Sequence, residues 1–179
     1  ILATQNPIEQ AGTFPLPEAQ LDRFLLYIKI GYPDEEEELS VLEATTGTGQ
    51  PQVDAVIRAE EIMELQVRVR EVHISRELMG YVNRLVRATR PATSDVDFVR
   101  EWVQWGAGPR AGQAMILTAK ARALLDGRFA VTPADLRFVA YPVLRHRILM
   151  NFRADAEGIP SDQVTERLLE VVEISKGKI

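Results

Sequence analysis

The sequence predicts a mainly α-helical protein in which a helical domain follows the last strands of a truncated α/β domain. From residue 34 onward, helix-capping residues recur beside apolar positions spaced three and four apart, which is the pattern of helices packed on a common core. Before residue 34 there are two short, nearly continuous apolar runs, at 1–5 and 25–30, which are typical of strands buried in a parallel sheet. Because two strands cannot form a complete sheet domain, we assign 1–33 to the end of an α/β core and 34–179 to the helical domain.

The first part of the chain alternates between strand-like and loop-like sequence. The apolar run at 1–5 ends in a loop at 6–17, where three prolines and a glycine interrupt regular structure. A proline then opens a short helix at 18–24, since proline suits the first helical position. The second predicted strand, at 25–30, follows directly.

The helical domain opens at Asp34, an N-cap residue with Glu37 three positions later, which is a capping box. We expect this helix to run to about Thr45, followed by a loop at 46–58 that contains two glycines and a proline. The next helix is predicted at about 59–70.

Ser75 caps a further helix, whose predicted apolar face consists of Leu78, Met79, Val82, Leu85 and Val86. After a loop at 90–98, residues 101–105 are expected to add a short helical turn. Such a turn would place Trp102 and Trp105 on one face, either as core packing or as a patch for a partner.

Proline and glycine delimit the later helices. Pro109 opens a long helix that Gly127 terminates; its predicted apolar or small face is Ala114, Leu117, Thr118, Ala121, Leu124 and Leu125. Thr132, followed by proline, caps a helix that runs to about Leu144. A last helix is predicted from about Ser161 to Glu173.

The composition of the chain argues against several classes of function. The formal net charge of −5 argues against nonspecific nucleic-acid binding by the whole chain. No apolar run approaches the roughly 20 residues that span a bilayer. The absence of cysteine excludes a thiolate metal site and fits a reducing compartment such as the cytoplasm. With His73 and His146 as the only histidines, we expect no metal site.

Three residues could carry chemistry. Asn6 follows a strand-like run and could orient a water or contact a phosphate at the end of the sheet, or it could simply begin a turn before proline. Arg23 could form a local salt bridge, or reach the phosphates of a neighbouring subunit. Arg110 lies in the first turn of a helix, where the helix dipole disfavours a cation and the free N–H groups attract anions. It therefore suits a phosphate site, although a salt bridge to Glu101 is the alternative.

Two basic clusters, at 84–90 and 145–147, could suggest a DNA-reading helix. Both are short and poor in aromatic residues, and they lie in an acidic chain. We therefore interpret them as solvated helix ends, where the dipole at a helix C-terminus favours cations.

These segments together resemble one known family. Residues 3–24 (ATQNPIEQAGTFPLPEAQLDRF) closely resemble the second half of the core of MoxR-type AAA+ ATPases. Residues 31–37 resemble the junction between that core and the helical lid, and 106–111 (GAGPRA) resemble the sensor 2 motif. Residues 132–135 and 143–148 also fit the lid, so the resemblance covers essentially all of the chain.

The resemblance implies a role for each candidate residue. Asn6 matches sensor 1, which positions the attacking water. Arg23 matches the arginine finger, which reaches into the neighbouring subunit's site, and Arg110 matches sensor 2, which contacts the γ-phosphate in its own subunit. The intact protein is then expected to bind ATP and Mg²⁺ at the interfaces of a homo-oligomeric ring, expected to be a hexamer. Its expected work is chaperone-like assembly or activation of metalloenzymes, beside a von Willebrand factor A domain protein.

The chain departs from this family in two respects. Many relatives carry serine where this chain has Gly108, a small change because glycine also serves as an N-cap. The phosphate-binding motif G-x-x-x-x-G-K-[ST] and the Walker B strand are absent. We therefore expect the chain alone to bind no ATP and to have no ATPase activity. The alternative hypothesis is a helical interaction or DNA-binding module, which would show salt-dependent DNA affinity and no response to nucleotide.

Overall fold

The computed structural model describes residues 2–5, 17–49 and 53–174, and these form a mainly helical fold, as predicted. Within these residues the elements are α1 (Glu18–Leu21), α2 (Glu35–Thr46), α3 (Ala59–Glu71), α4 (Arg76–Ala88), α5 (Asp97–Trp102), β1 (Val103–Trp105), α6 (Pro109–Leu125), α7 (Pro133–Leu144), β2 (Leu149–Met150), α8 (Phe152–Ala156) and α9 (Ser161–Val171). The two strands pair in antiparallel fashion, with Val103 opposite Met150. No helix in the described ranges has the length and apolar character needed to cross a membrane.

The chain divides into two compact units. One consists of Ile1–Tyr27 together with Val72–Ile179, and the other of Ile28–Glu71. The domain boundary expected between residues 33 and 34 stays a prediction, because these units reflect contacts within this chain alone.

The smaller unit contains α2 and α3. The Asp34 side chain accepts a hydrogen bond from the Glu37 N–H at 2.9 Å, and the Glu37 carboxylate accepts one from the Asp34 N–H at 3.2 Å. This confirms the predicted capping box. The first turn of α2 carries four glutamates, where the helix dipole favours negative charge.

The core of the larger unit lies between α4, α6, α7 and α9. In this core α6 packs against both α4 and α7, and α9 packs against α7. The Ser75 cap is confirmed, since its hydroxyl accepts from the Leu78 N–H. The buried face of α4 is close to the predicted one: Leu78, Tyr81, Val82, Leu85 and Val86. Met79, which was expected on that face, is exposed.

Helix α6 buries a different face from the one predicted. Of the predicted residues only Ala114 is fully buried, and Leu125 is 86% exposed. The buried positions are Ala111, Ala114, Met115, Ala119 and Ala123. Four of these are alanines, whose small side chains allow α7 and α4 to approach closely while giving little apolar signal in the sequence. Gly127 adopts a positive φ of 70° just after the helix, as expected of a C-terminal glycine.

Several predictions of local secondary structure are wrong. Residues 103–105 form strand β1 and not the end of a helical turn, because they pair with β2, more than forty residues later in the chain. Neither residues 2–5 nor residues 25–30 form a strand with any other described residue, and Ile28 and Ile30 are 70% and 93% exposed. The Tyr27 N–H instead donates to the carbonyl oxygen of Pro142 at 2.8 Å.

Candidate functional site

One of the two predicted arginines, Arg110, contacts the carboxylate of Asp22, which is the neighbour of the other in the chain. Arg110 lies in the first turn of α6, and its Nη1 is 3.5 Å from Oδ2 of Asp22. Asp22 directly precedes Arg23 in the chain, just after α1. The third candidate, Asn6, lies outside the described residues.

Arg110 remains largely exposed to solvent. Its side chain is 59% exposed, and the ion pair with Asp22 is long for a charged contact. Glu101, the predicted alternative partner, pairs with Arg153 at 2.7 Å instead. A largely exposed guanidinium therefore lies beside a helix N-terminus, a combination that attracts anions such as phosphate.

The loop before α6 is fixed by the end of α4. The buried Thr89 hydroxyl accepts from the Ala107 N–H at 2.8 Å and donates to the Val86 carbonyl at 2.7 Å. Arg90 Nε donates to the Ala107 carbonyl at 3.0 Å. These bonds hold the loop on the core and so determine where α6, and with it Arg110, begins.

Gly106 lies so close to this anchor that no side chain fits. A Cβ atom at Gly106 would overlap the Thr89 carbonyl oxygen and would lie 2.7 Å from the Cα of Arg90. The atoms in the way belong to the backbone, which cannot rotate aside as a side chain can.

We expect Gly106→Ala to lower the free energy of unfolding by about 1–3 kcal/mol, because the methyl group must push the loop away from the Thr89 backbone. The measurement is the urea unfolding midpoint. Gly31→Ala is the matched control, since nothing lies within 4 Å of its added Cβ and Gly31 caps no helix, and we expect it not to lower the free energy of unfolding. Equal effects of the two substitutions would contradict a steric role for Gly106.

The segment 22–27 is held by a second arginine, Arg147. Its guanidinium, 3% exposed, donates to Asp22 Oδ1 at 3.0 Å and to the carbonyl oxygens of Asp22 and Phe24 at 3.0 and 2.6 Å. It also donates to the carbonyls of Leu25 at 3.3 Å and Val143 at 2.6 Å. Burial lowers the pKa of Arg147, and the Asp22 carboxylate opposes this shift. A fully satisfied buried guanidinium thus ties the segment to the end of α7.

The two residues before Arg147 add to this anchor. Arg145 Nε donates to the Asp162 carboxylate at 2.9 Å, and its Nη1 donates to the Tyr27 carbonyl at 2.8 Å. His146 Nε2 lies 3.1 Å from the Phe24 carbonyl oxygen. We call Arg145, His146 and Arg147 together the RHR anchor.

His146 holds its position as a neutral ring. Burial lowers its pKa, and the neighbouring Arg147 charge acts in the same direction. A neutral imidazole that bonds a carbonyl oxygen must carry its proton on that nitrogen, Nε2. The ring also stacks on Tyr27, with centroids 6.1 Å apart.

The interpretation of residues 145–147 as a solvated helix end is therefore wrong. Arg147 is buried because it follows Val143 by four positions, on the apolar side of α7, and immediately precedes the buried Ile148. This position on an apolar face was the signal available in the sequence. In the cluster at 84–90, the guanidiniums of Arg84 and Arg90 also bond to backbone carbonyls within the chain.

Arg23 stays on the surface. Its side chain is exposed, and its Nη2 donates to the Gln20 side chain three residues earlier. The predicted pairing of the two tryptophans is wrong, because Trp102 is half-buried at the end of α5 whereas Trp105 is 70% exposed in β1. Arg167 covers the rings of Phe98 and Trp102.

Among residues 2–5, 17–49 and 53–174, no group of three His, Asp or Glu side chains is placed to hold a metal ion. The same residues do contain a set suited to an anion. Arg110 and Arg147 both face Asp22, so the local positive charge exceeds what this single carboxylate neutralises.

Two family models match parts of the chain. Residues 98–168 match the family model described as AAA lid domain. Residues 1–26 match the model for the ATPase family associated with various cellular activities.

Individual relatives show the same likeness. The chain is 40% identical to Chaperone MoxR1 of Mycobacterium tuberculosis over 96% of this chain and 46% of that protein. It is 32% identical to Protein MoxR of Paracoccus denitrificans over 84% of this chain and 48% of that protein. A solved structure from Cytophaga hutchinsonii, described as a candidate ATPase, superposes with a TM-score of 0.90 at 40% identity, over 96% of this chain and 53% of that one. The chain thus spans about half the length of the relatives it matches.

Proposed function

The chain belongs to the MoxR family of AAA+ ATPases, and we propose that Arg110 senses the terminal phosphate of ATP in the intact protein. By the intact protein we mean this chain together with the segment that binds the phosphates of ATP. The observation that carries the proposal is an arginine, 59% exposed, in the first turn of α6, whose ion pair with Asp22 is 3.5 Å long. The helix dipole disfavours a cation there by roughly 0.3–1 kcal/mol. An anion placed between the guanidinium and the free N–H groups of the helix would reverse that penalty.

We further propose that the intact protein is a homo-oligomeric ring, with six subunits, that hydrolyses ATP with Mg²⁺. Arg23 would supply a positive charge to the neighbouring subunit's site, and Asn6 would orient the attacking water. The exposed position of Arg23 supports its role, because a side chain that reaches another subunit must be free to leave its own.

We propose that ATP turnover drives chaperone-like assembly or activation of client complexes, metalloenzymes among them. The relative from Mycobacterium tuberculosis carries the name chaperone. A von Willebrand factor A domain protein is the proposed partner, and the cytoplasm is the proposed location, in keeping with a chain that has no cysteine.

The role of Arg110 is tested by Arg110→Gln in the intact protein. We expect the affinity for ATP to fall by about tenfold or more, since a hydrogen bond between charged groups contributes about 1.5–3 kcal/mol. The affinity for ADP, which lacks the terminal phosphate, should stay nearly unchanged. Both affinities are measured by titration calorimetry at one salt concentration.

Arg153→Gln is the matched control. Arg153 is 61% exposed and pairs with acidic side chains, as Arg110 does. It should leave both affinities unchanged. An equal loss for ATP and ADP in Arg110→Gln, or no loss for either, would show that Arg110 does not read the terminal phosphate.

A further inference from the structure

Asp22 joins two arginines that differ sharply in environment. Its Oδ1 accepts from the Nε of Arg147 at 3.0 Å, and that guanidinium is 3% exposed. Its Oδ2 lies 3.5 Å from Nη1 of Arg110, whose side chain is 59% exposed. One carboxylate therefore connects a fixed internal cation with an exposed one.

The two contacts differ in how readily they break. Arg147 makes four further hydrogen bonds to backbone carbonyls, so it cannot leave Asp22 without losing several partners. The contact with Arg110 is long and open to water, and contacts of that kind contribute little. A phosphate group carries more negative charge than a carboxylate and can therefore take Arg110 away while Asp22 remains on Arg147.

We propose that Asp22 is a positioning residue that holds Arg110 until a terminal phosphate displaces it, and that its release is communicated to Arg23. The inference rests on the proposed function, in which Arg110 and Arg23 serve two different nucleotide sites. Asp22 is adjacent to Arg23 in the chain, and the backbone on both sides of Arg23 is bonded to Arg147. Loss of the Arg110 contact changes the charge and the restraint at the base of Arg23.

The consequence is a coupling between neighbouring sites. ATP bound in one subunit would alter the charge and restraint beside Arg23, which that subunit extends into the neighbouring site. Linkage requires that the effect on binding be reciprocal. A ring built in this way binds and hydrolyses ATP cooperatively. A plain surface ion pair between Asp22 and Arg110 would produce no such coupling.

Asp22→Asn in the intact protein tests the proposal. The amide oxygen of asparagine can still accept from Arg147, whereas its NH₂ group cannot accept from Arg110. We expect ATP to bind about two- to fivefold more tightly, because a weak competing acceptor has been removed. ADP affinity should not change, and the Hill coefficient of ATP turnover should fall towards one.

Asp162→Asn is the matched control. Asp162 is the carboxylate partner of Arg145 in the same RHR anchor, and its replacement should leave the ATP-to-ADP preference and the Hill coefficient as in the wild type. In the double variant Asp22→Asn, Arg110→Gln, the gain in ATP affinity should disappear. If Asp22→Asn behaves like Asp162→Asn in both readouts, the proposal is wrong.

A measurement on the wild-type protein covers the case in which Asp22→Asn fails to fold. Amide hydrogen exchange at residues 22–25 should be faster with a non-hydrolysable ATP analogue than with ADP, and Arg110→Gln should abolish the difference. Equal exchange in the two states would overturn the proposal. If Arg110→Gln spares ATP binding, the proposed function itself fails; if Arg110→Gln impairs ATP binding selectively but Asp22→Asn has no effect, only this inference fails.

Discussion

Replacing Arg23 with alanine is expected to lower ATP turnover of the intact protein by about 10³–10⁵-fold, the range known for arginines that stabilise a transferring phosphate. ATP binding should change little, because the charge acts in the transition state and comes from the neighbouring subunit. The structure favours this role, since Arg23 is exposed while the backbone around it is fixed by the buried Arg147. A flexible side chain on a rigid base can be positioned across an interface without a large loss of entropy.

The control for this variant is Arg100→Ala. Arg100 is also an exposed arginine that bonds a side chain three residues earlier, Asp97, just as Arg23 bonds Gln20. Turnover of Arg100→Ala should match the wild type. A loss below tenfold in Arg23→Ala would rule out the finger role.

Mixing the Arg23→Ala and Arg110→Gln variants, at an ATP concentration too low to saturate Arg110→Gln, shows in which subunit Arg23 acts. Subunits with Arg23→Ala keep their own Arg110, and subunits with Arg110→Gln keep Arg23 for the neighbouring site. If Arg23 acts across the interface, mixed rings should recover part of the activity that each variant lacks alone. If Arg23 acts within its own subunit, mixing should recover none.

Arg147→Ala is expected to cause the largest loss of stability, about 3 kcal/mol in the free energy of unfolding. The truncation removes a donor from Asp22 Oδ1 and from four carbonyl oxygens, although the Phe24 carbonyl keeps its bond to His146 Nε2. It also opens a cavity, because the side chain is almost fully buried. The urea unfolding midpoint, followed by the fluorescence of Trp102 and Trp105, measures the effect.

Arg137→Ala is the comparison, since Arg137 lies on α7 with its side chain exposed, and it should change stability by less than about 0.5 kcal/mol. Arg147→Lys should recover only part of the loss, because an ammonium group cannot reproduce the planar fork that serves several acceptors at once. A loss below about 1 kcal/mol for Arg147→Ala would mean that segment 22–27 is held mainly by other contacts.

Much of the helical fold could be predicted because its signals are local. Asp34, Ser75 and Thr132 each cap a helix within three residues of themselves, and Pro109 opens α6 at the predicted position. The boundaries of α7 were also correct. Capping depends on neighbours in the sequence, so residue types at short spacing suffice to locate it.

The errors arise where distant residues decide the structure. Strand β1 exists because it meets β2, and no short window around 103–105 contains that partner. The buried face of α6 was assigned to larger side chains, whereas close packing selected a row of alanines. Residues 25–30 are apolar enough for a strand, but a strand also needs a hydrogen-bonded neighbour.

The candidate site was predictable in part. The motifs and helix positions single out Arg23 and Arg110 as candidates, and in the structure Arg110 lies 3.5 Å from the carboxylate of Asp22, the residue before Arg23. The importance of Asp22 and Arg147 could not be read in advance, since their bond joins residues 125 positions apart. Asn6 is the one predicted site residue that the described ranges do not include.

The RHR anchor binds segment 22–27 mainly through backbone atoms. Of the five bonds that Arg147 donates, four end on carbonyl oxygens, which every residue type possesses. The identities of the side chains at positions 24 and 25 therefore matter little for the bonds that Arg147 makes to this segment. Substitutions at these two positions can therefore leave the backbone path beside Arg23 unchanged. The side chains on this surface can vary while Arg23 keeps its position.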